Sequence, residues 1–223
     1  MQIGLIGGIG PAATDFYYRR LISAFSRNNI PLELTIVHAD TQTLLKNLAR
    51  NDVESQVAIY VTLTDRLAAA GAGCVAITSI AGHFCIETFK SVSPLPLVDM
   101  ISEVNTSIAS RGFKRIGILG TRTVMETQFY GAITTATIIQ PTDSDLEDVH
   151  QAYVAMAASG IVTPEQRAIF DSASRKLLLD YKVEAILLGG TDLALVYKEG
   201  ETTFPLVDCA AIHSDAVLRF ATS

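Results

Sequence analysis

The chain repeats itself at half length, and that repetition limits what it can fold into. Ile3-Gly4-Leu5-Ile6-Gly7 followed by Phe16-Tyr17 returns 113 positions later as Ile116-Gly117-Ile118-Leu119-Gly120 followed by Phe129-Tyr130. Pro96-Leu97-Val98-Asp99 returns unchanged as Pro205-Leu206-Val207-Asp208, and the apolar run ending at Thr78-Ser79 has its counterpart ending at Gly189-Gly190. Two similar halves in one chain imply two lobes related by a pseudo-twofold, with a cleft between them. Length alone, 223 residues, fits either two small lobes or one larger domain. The repeat decides for two.

Within each half, short apolar runs alternate with longer helical patterns. Runs near 2–6, 34–38, 74–78 and 95–98 predict four strands in the first lobe; those near 115–119, 136–139, 184–188 and 205–207 predict four in the second. Helical patterns fall near 12–26, 52–70, 84–91, 99–111, 123–133, 143–158, 164–180 and 209–221. Start signals stand at Asp52 with Ser55, at Asp143, and at Thr163-Pro164-Glu165, where proline takes the first helical position. Such alternation predicts α/β lobes, each a four-stranded parallel sheet covered by helices on both faces. The expected division is 1–99 for the first lobe, completed by 209–223, and 100–208 for the second, the two joined around Met100 to Arg115 without a low-complexity linker.

Composition removes several function classes. A formal net charge of −6 with no basic block gives no electrostatic footprint for nucleic acid. No apolar run approaches the roughly 18 to 20 residues needed to cross a bilayer. The chain enters a strand pattern at once, so the expectation is a cytoplasmic protein with no membrane partner. Cys74, Cys85 and Cys209 form neither a CxxC nor a Cys/His ligand spacing; no disulfide framework and no metal site is expected.

In parallel α/β sheets, ligands gather beyond the carboxyl ends of the strands, where loops feed helix amino termini. Four loops qualify: Gly7-Gly8-Ile9-Gly10-Pro11, Thr78-Ser79-Ile80-Ala81-Gly82-His83, Gly120-Thr121-Arg122-Thr123 and Gly189-Gly190-Thr191-Asp192. All four are expected to face one cleft, where backbone amides and the positive ends of helix dipoles suit a carboxylate or phosphate. A nucleotide reading of the first loop fares worse. Gly8, Gly10 and Ala13 satisfy the dinucleotide fingerprint only in relaxed form, the acidic ribose ligand expected about 20 residues on is missing, and Pro11 removes an amide. No cofactor is expected.

The loop residues, taken in order, resemble the aspartate/glutamate racemase family. Gly7-Gly8-Ile9-Gly10-Pro11-Ala12-Ala13-Thr14 with Phe16-Tyr17 resembles that family's opening. Gly120-Thr121-Arg122-Thr123-Val124-Met125 with Phe129-Tyr130 resembles its second-lobe opening, Asp148-Val149-His150 its Val-His helix, and Pro205-Leu206-Val207-Asp208 with Ile212-His213 its C-terminal motif. The resemblance covers essentially the whole chain. It implies two flavodoxin-like lobes, a small carboxylate or amino acid held between them, and a homodimer. It also implies cofactor-free (PLP-independent) racemisation by two thiols, one from each lobe, acting on opposite faces of the α-carbon.

This chain departs from that pattern at both thiols. The first-lobe Cys-Asn-Thr-Ala-His pattern becomes Ser79-Ile80-Ala81-Gly82-His83, and the second-lobe Gly-Cys-Thr-Glu pattern becomes Gly189-Gly190-Thr191-Asp192. Ile80 and Ala81 replace polar substrate-holding residues, and Ser159 stands where many members carry a carboxylate-binding lysine. A serine hydroxyl is a far weaker base than a thiolate, and glycine exchanges no proton through a side chain. Cys85 lies six residues past Ser79 and Cys209 begins the last helix, so neither is placed to substitute.

The candidate catalytic residues are therefore Ser79, as donor or nucleophile; His83, which titrates near neutrality; and Asp192, as base or orienting group. Candidate binding residues are Gly8, Ile9, Gly10, Ile80, Ala81, Gly190 and Thr191. Alternatively, Ser79, Thr191 and Asp192 cap the helices they precede, as Asp99 and Asp208 are expected to do, and His83 is a structural histidine. Three readings follow: an isomerase-family protein binding a small carboxylate with the two-thiol mechanism lost; a redirected lyase or hydrolase using Ser79, His83 and Asp192; and a catalytically silent carboxylate-binding protein.

Overall fold

A computed structural model describes residues 1–198 and 200–223; the side chain of Asp143, one of the helix-start signals, lies outside what is described. The chain divides into two compact units, Met1–Met100 with His213–Ser223, and Ile101–Ile212. The last helix thus begins in the second unit and ends in the first.

The first unit contains β1 (Ile3–Gly7), α1 (Pro11–Arg27), β2 (Leu34–His38), α2 (Thr41–Arg50), α3 (Val53–Ala69), β3 (Cys74–Ile77), a 3-10 turn (Ile80–Cys85) and α4 (Ile86–Val92). Its strands pair in the order β2-β1-β3, all parallel, with Ile3 opposite both Leu34 and Cys74. All of β1 and β3 is buried, which explains why they read as unbroken apolar runs rather than alternating ones.

The fourth strand predicted near 95–98 is cut down to one bridge, Val75 to Leu97. Pro94 and Pro96 explain this correction. Proline has no N–H to give a ladder, so the segment contributes only the Pro96 carbonyl, which accepts from the Val75 amide, and the Val98 amide, which donates back to the Val75 carbonyl.

The second unit contains most of α5 (Met100–Arg111), then β4 (Arg115–Gly120), α6 (Arg122–Glu126), β5 (Thr137–Ile139), α7 (Asp143–Ser159), α8 (Pro164–Leu179), β6 (Ala185–Gly189), a second 3-10 turn (Thr191–Leu195), β7 (Leu206–Asp208) and the start of α9 (Cys209–Thr222). Strand order is β5-β4-β6-β7, again all parallel. With the Leu97 bridge counted as the fourth position, both sheets run second-first-third-fourth, so the sequence repeat is a repeat of topology.

Two helical expectations need correction. The pattern at 123–133 predicts one helix, but α6 stops at Glu126, and Gln128, Phe129 and Tyr130 take left-handed backbone angles (φ 52, 62 and 60°). The Thr127 hydroxyl donates to the Thr123 carbonyl and accepts from the Tyr130 amide, closing the turn and burying Phe129. The β-branched run Ile133-Thr134-Thr135 beyond it gives little support to a helix. Phe129-Tyr130 therefore occupies a turn, whereas its repeat partner Phe16-Tyr17 lies in α1. Conversely, α2 has no counterpart in the predicted elements. Only Leu44 of its ten residues is buried, too few to print a 3.6-residue stripe, and its start is fixed instead by Asp40, which accepts from the Thr43 amide at 2.7 Å. The signals at Asp52 and Thr163 act as read: Asp52 accepts from the Ser55 amide, and Thr163 forms a reciprocal capping box with Gln166.

Candidate functional site

Each unit carries its own loops beyond its strand ends. In the first unit, two threonines tie the β1 loop to the end of β3. The Gly8 amide donates to Thr14 Oγ1 at 2.9 Å, Thr14 Oγ1 lies 3.3 Å from Thr78 Oγ1, and Thr78 Oγ1 donates to the Ile6 carbonyl. The Gly8 amide is thus already committed within the loop. Gly10 is the N-cap of α1, with Pro11 at its first position. Ile9 and Ile80 are buried and apolar; Ala81 follows at the start of the 3-10 turn.

Ser79 is buried, yet its side chain makes no cap hydrogen bond, so it is not the helix cap that one reading made of it. Its carbonyl instead accepts from His83 Nδ1 at 2.7 Å. A carbonyl only accepts, so Nδ1 carries the proton and Nε2 of the neutral ring keeps its lone pair. That Nε2 is buried and has no hydrogen-bond partner. Burial first, against the opposing pull of Asp99 and the Ser79 carbonyl, lowers the His83 pKa. The ring is therefore a neutral acceptor at physiological pH rather than the half-charged switch its type suggests.

His83 does not stand alone. Its ring meets that of His213 edge to face, with centroids 6.2 Å apart. His213 Nε2 donates to the Val98 carbonyl at 2.8 Å, which leaves Nδ1 to accept from the Tyr17 hydroxyl at 2.8 Å. Buried completely and beside a second histidine, His213 is pushed down to about 3. Tyr17, fully buried on α1, thus also anchors a polar network. The only sequence signal for His213 was its place in the C-terminal motif.

In the second unit, β4 and β6 end side by side at Gly120 and Gly189. Thr121 caps α6, its hydroxyl accepting from the Val124 amide. Gly190 opens the second 3-10 turn in extended conformation. Thr191 follows, 2% exposed, its hydroxyl lacking a hydrogen-bond partner. Asp192, also buried, accepts from the Tyr153 hydroxyl at 3.1 Å. Burial and the adjacent Asp192 charge hold the Tyr153 phenol well above its usual pKa, so it remains a neutral donor. Tyr153 carries no motif, and the sequence reading missed it. Asp208 is the cap it was expected to be, accepting from the Ala210 and Ala211 amides, and Asp99 pairs with Lys90 at 3.4 Å.

All three cysteines are free and buried. Burial pushes the Cys85 thiol up to about 12, and its Sγ points at the Gly82 carbonyl. Burial, then Asp208 and Asp192, drives Cys209 well above the ordinary thiol range. Neither is a thiolate near neutrality. The folded protein is accordingly expected to show no thiol reacting quickly with an aromatic disulfide reagent at pH 7.5, and three on unfolding; a fast-reacting native thiol would contradict the assignment. Among the described residues, no group of three or more His, Cys, Asp or Glu is placed to hold a metal ion, and no helix is long and apolar enough to cross a membrane.

Comparison with known proteins identifies the family and the fold. The Asp/Glu/Hydantoin racemase family model matches residues 6–217, nearly the whole chain. The chain belongs to that family. Among solved structures, it is similar to a candidate Asp/Glu racemase from Yersinia pestis, at 26% identity and TM-score 0.86 over the full length of both chains. It shares its fold with an aspartate racemase homologue from Pyrococcus horikoshii OT3, at 24% identity and TM-score 0.82, covering 100% of this chain and 99% of that one. The Picrophilus torridus aspartate racemase aligns at 19% identity and TM-score 0.79, over 100% and 95%.

Proposed function

We propose that this member of the racemase family binds a small carboxylate, an amino acid in the first instance, at its strand-end loops, and has lost two-thiol racemisation. The observation that carries the reading is the state of its sulfur. The family pattern places thiols at 79 and 190, which here are Ser79 and Gly190. The remaining cysteines are buried and held as thiols. A proton shuttle needs a base on one side and an acid on the other. Among the described residues no base is hydrogen-bonded to the Ser79 hydroxyl, and His83 engages the Ser79 carbonyl.

What remains is suited to binding: the Thr191 hydroxyl and His83 Nε2 are buried polar atoms without partners, and such atoms are costly unless something meets them. We assign the ligand to the acidic amino acids and related small carboxylates, and the protein to a cytoplasmic homodimer working without a cofactor.

The test combines two measurements on the purified protein. Millimolar D- or L-aspartate or glutamate is expected to raise the melting temperature by a few degrees. Incubation of the same amino acids with the protein in D2O is expected to leave the α-position unlabelled by proton NMR. Deuterium entering the α-position would restore racemisation and remove the proposal of a lost shuttle; no stabilisation by any of them would remove the assigned ligand class.

A further inference from the structure

We propose that Tyr153 determines what the second unit's strand-end loop offers a ligand: its ring occupies the place of any side chain at position 190, and its hydroxyl positions Asp192 beside Thr191. A Cβ built on Gly190 would lie 2.2 Å from Tyr153 Cε2, 2.6 Å from Cζ and 2.8 Å from the hydroxyl oxygen. Real carbon atoms do not approach so closely. The ring cannot easily withdraw, because Tyr153 belongs to the buried stripe Leu146, Val149, Tyr153 and Met156 along α7. Its hydroxyl is also spent on Asp192. Tyrosine at 153 therefore requires glycine at 190.

This coupling changes how the departure from a two-thiol arrangement is counted. Restoring a side chain at 190 together with one at 79 would drive it into the Tyr153 ring, so position 153 has to change with them. It also defines the recognition chemistry. The loop places the unpartnered Thr191 hydroxyl next in sequence to a carboxylate fixed by a phenol. Such a pair suits a ligand carrying an oxygen acceptor beside a donor, as an α-amino or α-hydroxy acid does. Here Tyr153 is a positioning residue. The ligand part of the inference rests on the function proposed above; the steric part does not.

The experiment measures melting temperatures of Gly190→Ala, Tyr153→Leu and the double variant, with Tyr153→Phe alone and combined with Gly190→Ala. Gly190→Ala is expected to cost several degrees in the native background and in Tyr153→Phe, which keeps the ring, and little or nothing further in Tyr153→Leu, which removes it. An equal cost in all three backgrounds would overturn the steric claim.

Tyr153→Phe is then titrated with D- and L-aspartate and glutamate. About ten-fold weaker apparent affinity than the native chain is expected, from loss of the hydroxyl that holds Asp192. Unchanged affinity overturns the positioning role. If none of these ligands stabilises the native chain, the ligand part falls with the reading above, while the stability series still decides the steric part.

Discussion

Acidification is expected to erode the stability of this protein steeply through one residue, His213. Its folded pKa is about 3 against an ordinary 6.5, because the ring is wholly buried, sits beside His83, and spends both nitrogens on neutral partners. The unfolded chain takes up the proton near 6.5, whereas the folded chain resists until about 3. Stability from this residue is therefore complete above pH 6.5, falls across the interval down to about 3, and changes no further below it. The slope approaches 1.4 kcal/mol per pH unit, and the total is roughly 5 kcal/mol. Denaturant unfolding of the native chain and of His213→Gln, from pH 7.5 to 4, isolates the effect from that of the carboxylates. The native chain should be the more stable at neutral pH, lose its lead as pH falls, and finish below the variant. Parallel curves would mean that His213 is already protonated in the fold or that its burial costs far less than its surroundings imply.

His213 also shows where sequence reading stops. Its partner Tyr17 lies 196 positions away, and Val98 lies 115 away. Contacts of that range leave no local pattern. Tyr153 and Asp192, 39 positions apart, are invisible for the same reason.

Other features were legible because they are local or periodic. Fully buried parallel strands print unbroken apolar runs, and the doubled motifs carried the topology from one half to the other. Ser79, His83, Thr191 and Asp192 were candidates because carboxyl ends of strands are where such sheets place ligands, and what the structure adds is that all four are buried. The sequence failed where one residue's chemistry overrode the pattern around it. Pro94 and Pro96 starved a predicted strand of donors, and a lone Asp40 cap sustained a helix with a single buried side chain. A repeat transmits topology but not every local conformation, as Phe16-Tyr17 in a helix and Phe129-Tyr130 in a left-handed turn demonstrate.

Gly120→Ala is expected to damage the second unit more than any other small change in its sheet. Gly120 and Gly189 are register partners on β4 and β6, at the point where both strands release their loops. A Cβ on Gly120 would stand 2.5 Å from the Gly189 carbonyl oxygen and 2.9 Å from its carbonyl carbon. Those are backbone atoms in a hydrogen-bonded ladder, so no rotamer change relieves the clash, and the strand ends must separate. Overpacking of this kind costs about 3 kcal/mol. Because Gly190, Thr191 and Asp192 follow directly, the displacement passes into the loop that carries them. Gly117→Ala on the same strand is the control. Its Cβ would meet Ile186 Cδ1 at 2.9 Å and the Leu177 side chain at 3.0 Å, groups with rotamer freedom of their own. Chemical denaturation should rank native above Gly117→Ala above Gly120→Ala, and only Gly120→Ala should also lose stabilisation by aspartate or glutamate measured well below its melting point. Equal costs for the two substitutions would show that β4 and β6 part at their ends without resistance, and that the Gly190 loop is not held by the glycine pair.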